Sequence, residues 1–113
     1  MKSYLSIKNN REFQFLFKKG NSYVTQGFVC YFKRAEHPKN RLGIVASKKV
    51  GNAVLRNRAK RVIREAFRIA VKERIIGNFT YDFVFVARAK TPYLKSTQVY
   101  ELMEKLFLEL ENT

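Results

Sequence analysis

The chain is poor in the residues on which most protein chemistry depends. Its 113 residues include one cysteine, one histidine, one aspartate and no tryptophan, with two prolines and five glycines. A lone Cys30 excludes an internal disulfide framework and fits a reduced compartment. It lies in an apolar, strand-like run and reads as a small core residue. A two-metal nuclease needs several converging carboxylates, whereas Asp82 is embedded in an apolar stretch and the glutamates are scattered. Metal-free acid–base chemistry usually needs a paired acid and base. His37 is alone, in a turn with Pro38, where an exposed loop histidine is the ordinary reading. No Walker loop, GxGxxG, CxxC or GxSxG occurs. No apolar run approaches the roughly 18 residues of a membrane span, and no signal-peptide pattern opens the sequence. Such a polypeptide is expected to bind and not, by itself, to catalyse.

What it has is positive charge and apolar bulk. Twenty-three Lys and Arg against nine acids give a formal charge of +14, and 46% of residues are hydrophobic, ten of them Phe. One domain, 1–113, is expected, large enough to bury roughly two-thirds of its unfolded surface. A charge this extreme points to a polyanionic partner. It is also segregated: residues 41–74 hold eleven Lys and Arg against two acids, while residues 96–113 hold Lys105 against Glu101, Glu104, Glu109 and Glu111. That pattern suits a folded domain with one binding face better than a uniformly basic tail.

The centre of this charge is Val50 to Lys72. On a helix, Leu55, Ala59, Val62, Ile63, Ala66, Ile69 and Ala70 share one side. Arg56, Lys60, Arg64 and Arg68 form an i, i+4 ladder opposite, flanked by Asn57, Arg61 and Lys72. Like charges at this spacing repel by about 0.2–0.5 kcal/mol per pair, so a merely soluble helix would alternate Glu with Lys. Only Glu65 and Glu73 interrupt the run. A phosphate-facing surface accounts for it better than a solvated one.

Taken in order, residues 1–8 carry little pattern and are expected to be loosely held. Asn9 with Glu12 resembles a capping box, and Gly20 stops a helix Asn10 to Lys19. Phe13, Leu16 and Phe17 share its face, ordinarily a core pattern, while Phe15 points elsewhere. Gly27 to Lys33 alternates as a strand, with Phe28, Cys30 and Phe32 opposite Val29, Tyr31 and Lys33. Ala35–Asn40 turns the chain, and Arg41 to Ser47 is expected to pair with the first strand as a hairpin. Asn52 caps the long helix, which ends in Ile75 to Thr80. Tyr81 to Ala89 is nearly continuously apolar, as a central strand buried on both faces would be. Ser96 or Thr97 then caps a last helix with Val99, Leu102, Met103, Leu106 and Leu110 inward. The residues alone give αββαβα, an α+β fold on one sheet.

Residues 47–68, SKKVGNAVLRNRAKRVIREAFR, resemble the protein subunit of bacterial ribonuclease P. Arg56–Asn57–Arg58 stands where that family has its RNR motif, followed by Lys60, Arg61 and Arg64. The likeness extends to NNREFQFLFKKG, FVCYF, RLGIVASKKVGNAV and FVFVARAK, and so covers most of the chain. It implies a single-sheet α/β sandwich of the type αβββαβα, like the second domain of a small-subunit ribosomal protein, with a left-handed βαβ crossover. Crossovers are right-handed in about 98% of cases, so that handedness is implied by the family alone.

The resemblance further implies tRNA processing in the cytoplasm, within a ribonucleoprotein endonuclease that removes the 5′ leader of precursor tRNA. Its RNA subunit is the catalyst, and Mg²⁺ is held mainly by RNA with no dedicated protein site. The partners are then the catalytic RNA and precursor tRNA, with no membrane and no obligate protein partner. By position, Arg56, Asn57, Arg58, Lys60, Arg61, Arg64 and Arg68 would meet the RNA subunit. Arg58, toward the apolar edge of the helical wheel, would orient its neighbours. Phe13, Phe17, Tyr31, Ser47, Lys48, Lys49, Arg88 and Lys90 would line a cleft for the leader, since aromatic faces stack unpaired bases without sequence preference. A structural ribosomal protein or RNA chaperone could use the same basic helix but has no need of an aromatic cleft. A DNA-binding module lacks helix-turn-helix spacing here.

Overall fold

A computed structural model describes residues 4–73 and 79–112. Its elements are β1 (Leu5–Ser6), α1 (Asn10–Lys19), β2 (Asn21–Val24), β3 (Phe28–Ala35), β4 (Arg41–Val45), α2 (Ala53–Glu73), β5 (Thr80–Ala87), a 3₁₀ turn (Thr91–Tyr93) and α3 (Ser96–Glu111). Apart from the two-residue β1, this is αβββαβα on one mixed sheet of order β1-β4-β5-β3-β2. The third strand agrees with the family's αβββαβα order; β2, four residues long, leaves no clear alternation in the sequence. The expected end of α2 at Ile75 to Thr80 lies mostly outside the described residues.

The hairpin expected between β3 and β4 does not form. β5 inserts between them, antiparallel to β3 and parallel to β4. The reason lies in β5 itself: Phe83, Val84 and Phe85 are fully buried, so the strand needs cover on both faces and partners on both edges. Residues 4–8 are not loose either. Leu5 and Ser6 pair in parallel with Arg41 and Leu42, and Tyr4 and Ile7 are buried. Tyr4 meets the Phe67 ring edge-on at 5.2 Å.

Alternation splits the sheet into two faces. Phe28, Cys30, Leu42, Phe83 and Phe85 face α2 and α3 in the main core, centred on Phe67, which the helical-wheel reading left out. Phe67 touches Phe83, Phe85 and Phe107 with ring centroids 5.6, 5.8 and 6.0 Å away. The other face carries a smaller cluster of Ile7, Leu16 and Val84 beneath α1, edged by Phe13, Phe17, Tyr31, Val45 and Val86.

The helix ends follow local chemistry. The Asn9 side chain accepts from Arg11 N at 2.8 Å, but Glu12 does not close a capping box because it reaches Arg41 at 2.6 Å. Asn52 accepts from Leu55 N at 3.0 Å. Gly51 before it has φ 140°, a conformation open to glycine. Neither Ser96 nor Thr97 caps α3; the Lys95 N–H donates to Gln98 Oε1 at 2.8 Å. A side-chain amide from within the first turn satisfies the cap in place of a hydroxyl.

Candidate nucleic-acid interface

α2 presents its cations outward because its apolar stripe is used up against the sheet and α3. Ala59, Ile63, Ala66, Phe67 and Ala70 are buried, which leaves Asn57, Arg58, Arg61, Arg64 and Arg68 exposed, with Arg56 and Lys60 partly so. Arg58 is among the exposed residues, correcting its expected place at the apolar edge. At the helix start the stripe is narrow, with Val54 68% exposed, so Arg58 one turn on faces solvent as well. Arg68 differs from the others. Its guanidinium is held by both Glu65 carboxylate oxygens, at 3.2 and 2.7 Å. The Arg68 hydrogen bonds draw the Glu65 carboxyl below its ordinary pKa.

The second set of residues gathers on the α1 face of the sheet, where the strand register arranges it in rows. One row runs Ser22, Tyr31, Val84 and Gly43 across β2, β3, β5 and β4, and α1 lies on it. Phe17 packs edge-on to Tyr31 at 5.0 Å. Phe13 sits over Gly43, where any Cβ would run into its ring. The next row is Val24, Val29, Val86 and Val45. Val29, Val45 and Val86 are only partly buried and Val24 is 65% exposed. Alternation along β3 alone does not reveal this aliphatic row beside the aromatic pair, because it is assembled from four strands.

Beyond the valines, β4 and β5 leave the sheet side by side, and their loops carry the cations. Ser47, Lys48 and Lys49 are exposed, in a turn closed by Val50 N donating to Ser47 O at 3.0 Å. On the neighbouring loop, Thr91 is fully buried. Its Oγ1 donates to Gly27 O at 2.6 Å and accepts from Arg88 N at 2.8 Å. That tie brings Arg88 Nη1 to Thr25 O at 2.8 Å and Lys90 Nζ to Gln26 Oε1 at 3.3 Å. Phe13, Phe17 and Tyr31 thus lie over one row of the sheet, the partly open valine row runs beside it, and the loops after β4 and β5 carry the cations.

Among the described residues no group of His, Cys, Asp or Glu is placed to hold a metal ion, and no helix is long and apolar enough to cross a membrane. His37 is exposed. Cys30 is fully buried, and burial pushes its thiol well above the ordinary range, which leaves it a poor nucleophile.

Known proteins share both the sequence and the fold of this chain. The family model for ribonuclease P matches residues 1–111. A ribonuclease P protein component from Exiguobacterium is 36% identical over 107 residues, covering 95% of this chain and 90% of its own. One from Oceanobacillus iheyensis is 35% identical over 117 residues, covering 100% and 94%. Among solved structures, the Staphylococcus aureus RNase P protein superposes with a TM-score of 0.73 at 39% identity, covering 88% of this chain and 89% of that one. The Thermotoga maritima RNase P protein gives 0.76 at 29% identity, covering 96% of each. With matches running nearly end to end in sequence and in fold, the chain belongs to the ribonuclease P protein family.

Proposed function

We propose that this subunit of ribonuclease P works through two RNA-binding surfaces on one rigid sheet. The exposed α2 face, with Arg56, Asn57, Arg58, Lys60, Arg61 and Arg64, docks the enzyme's RNA, and Arg68 joins it once released from Glu65. The α1 face of the sheet takes the single-stranded 5′ leader of precursor tRNA. Phe17 and Tyr31, with Phe13, offer ring surface to unpaired bases; Ser47, Lys48, Lys49, Arg88 and Lys90 meet the phosphates. Phosphodiester hydrolysis is the work of the RNA, with Mg²⁺ held mainly by RNA. The cytoplasm is the compartment where both RNAs would be met.

One observation carries this reading: an aromatic row under α1 lies beside a partly exposed valine row, and the loops that follow β4 and β5 are cationic. Leaders differ between substrates, and stacking supplies about 1–3 kcal/mol per base without regard to sequence. The phosphate contacts add affinity that salt weakens. The test is reconstitution. Protein freed of RNA, in Mg²⁺, should leave precursor tRNA intact, and adding the RNA subunit should release the leader. Cleavage by RNA-free protein that survives nuclease-inhibitor controls would sink the assignment of catalysis to RNA.

A further inference from the structure

α1 and α2 lie on opposite faces of the sheet, yet side chains of both line one hollow at its β1–β4 edge. β1 is only two residues long, too short to separate them. There Lys60 and Arg64 reach the same hollow as Phe13, a cavity of about 200 Å³ also lined by Ser6, Lys8 and Ile44. Three cations, the hydroxyl-bearing Ser6 and Tyr4 and a second aromatic ring, Phe13, line it, with no carboxylate among the described lining residues. Two features fix its shape. Gly43 leaves the ring of Phe13 its seat. Arg41 ties Glu12, the residue before Phe13, to Asp82 of β5. At about 30 Å³ per water the volume is that of roughly six or seven waters, which suits one planar ring and not a stacked pair.

We propose that this edge pocket receives one unstacked nucleotide of the RNA subunit. Its phosphate lies among Lys8, Lys60 and Arg64, and its base lies against the Phe13 side. The inference rests on α2 being the face for the RNA subunit, because Lys60 and Arg64 belong to that row and the bound strand must be continuous with it. The proposed leader surface follows Phe17, Tyr31 and the valine row and shares only Phe13 with this hollow. A cationic pocket with an aromatic wall selects for a phosphorylated base. Charge alone would accept any anion.

Methyl-labelled free protein, titrated separately with adenosine monophosphate and with inorganic phosphate, provides the first test. Ile44 and Ile7 resonances should shift saturably with the nucleotide and several-fold less with phosphate. Equal shifts would reduce the hollow to a phosphate patch, and no shift with either would empty it; both results overturn the proposal. The second test uses the assembled components. Ser6→Trp fills the hollow and keeps every cation. Its affinity for the RNA subunit, measured without tRNA, should fall about 5- to 150-fold, the loss of one stacked base. Arg61→Gln lies on α2 outside the pocket and reports on the face itself. If Arg61→Gln weakens binding while a normally melting Ser6→Trp does not, the pocket is wrong and the α2 reading stands. If neither weakens it, both fall. A Ser6→Trp loss confined to leader-bearing tRNA would place the hollow on the substrate path and refute the assignment. Should Ser6→Trp melt early, the titration decides alone.

Discussion

Arg41 connects three parts of the fold through one guanidinium. Nε and Nη2 donate to the two Asp82 oxygens at 2.7 and 2.8 Å, and Nη2 also reaches Glu12 of α1 at 2.6 Å. The Asp82 hydrogen bonds, more than the Glu12 contact, hold the guanidinium charged beyond even its ordinary range. Removing one partner of a buried pair costs about 3–5 kcal/mol, because the other charge is left uncompensated. With side chains 18% and 15% exposed, Arg41→Met is expected at the low end, read as a lowered melting temperature. The N-terminal end of α1 should loosen with it, so affinity for leader-bearing tRNA should fall further than affinity for the RNA subunit. Phe67→Ala should behave differently. The ring is fully buried at the centre of the main core, so its loss should cost roughly 3–5 kcal/mol and impair every activity together. Equal retention of stability in both variants would contradict this account of the core.

At the scale of elements, α2 and α1 make separable predictions. Glu65 occupies Arg68, and both side chains are about half exposed. An exposed pair of this kind adds little stability, so Glu65→Gln should leave the melting temperature nearly unchanged. It should also release Arg68 toward phosphate, steepening the salt dependence of RNA binding by about 0.7–0.9 in log–log slope. Arg64→Ala should flatten that slope by a similar amount. A slope unmoved by either variant would mean that this face does not meet phosphate. On α1, Phe17 is only partly buried against Tyr31. Phe17→Ala should weaken holoenzyme binding of leader-bearing tRNA by about 1–3 kcal/mol and leave mature tRNA unchanged. Equal losses for both forms would return Phe17 to a purely structural role.

At the scale of the whole molecule the charge is unevenly placed: residues 41–74 are strongly basic and residues 96–113 are acidic. The densest run of basic residues lies along α2 and the loop after β4, while Glu101, Glu104, Glu109 and Glu111 lie on α3. α3 packs beside α2 against the sheet, so one end of the basic face is bounded by acid. That boundary limits where an RNA can lie: backbone cleavage protection on the RNA subunit should report contacts from α2 and none from α3. Lys105→Glu should leave RNA affinity within about twofold, whereas the equivalent reversal at Arg61 should weaken it well beyond that.

Much of this was set by the sequence alone, through local patterns. The 3.6-residue period of α2, the bounds of α1 between Asn9 and Gly20, the alternation of β3 and the unbroken apolar run of β5 each depend on neighbours in the chain, and each is where the sequence places it. So is the family, through residues 47–68. The tertiary structure decided what depends on distant partners. It placed β5 between β3 and β4, because a strand buried on both faces needs two neighbours. It gave Asp82, isolated in the sequence, its guanidinium 41 residues away. It lined up one valine from each of four strands in one row, and it drew Phe13, Lys8 and Arg64 to one edge. Register and strand order are set by the packing of whole faces, and no local window of residues contains that information.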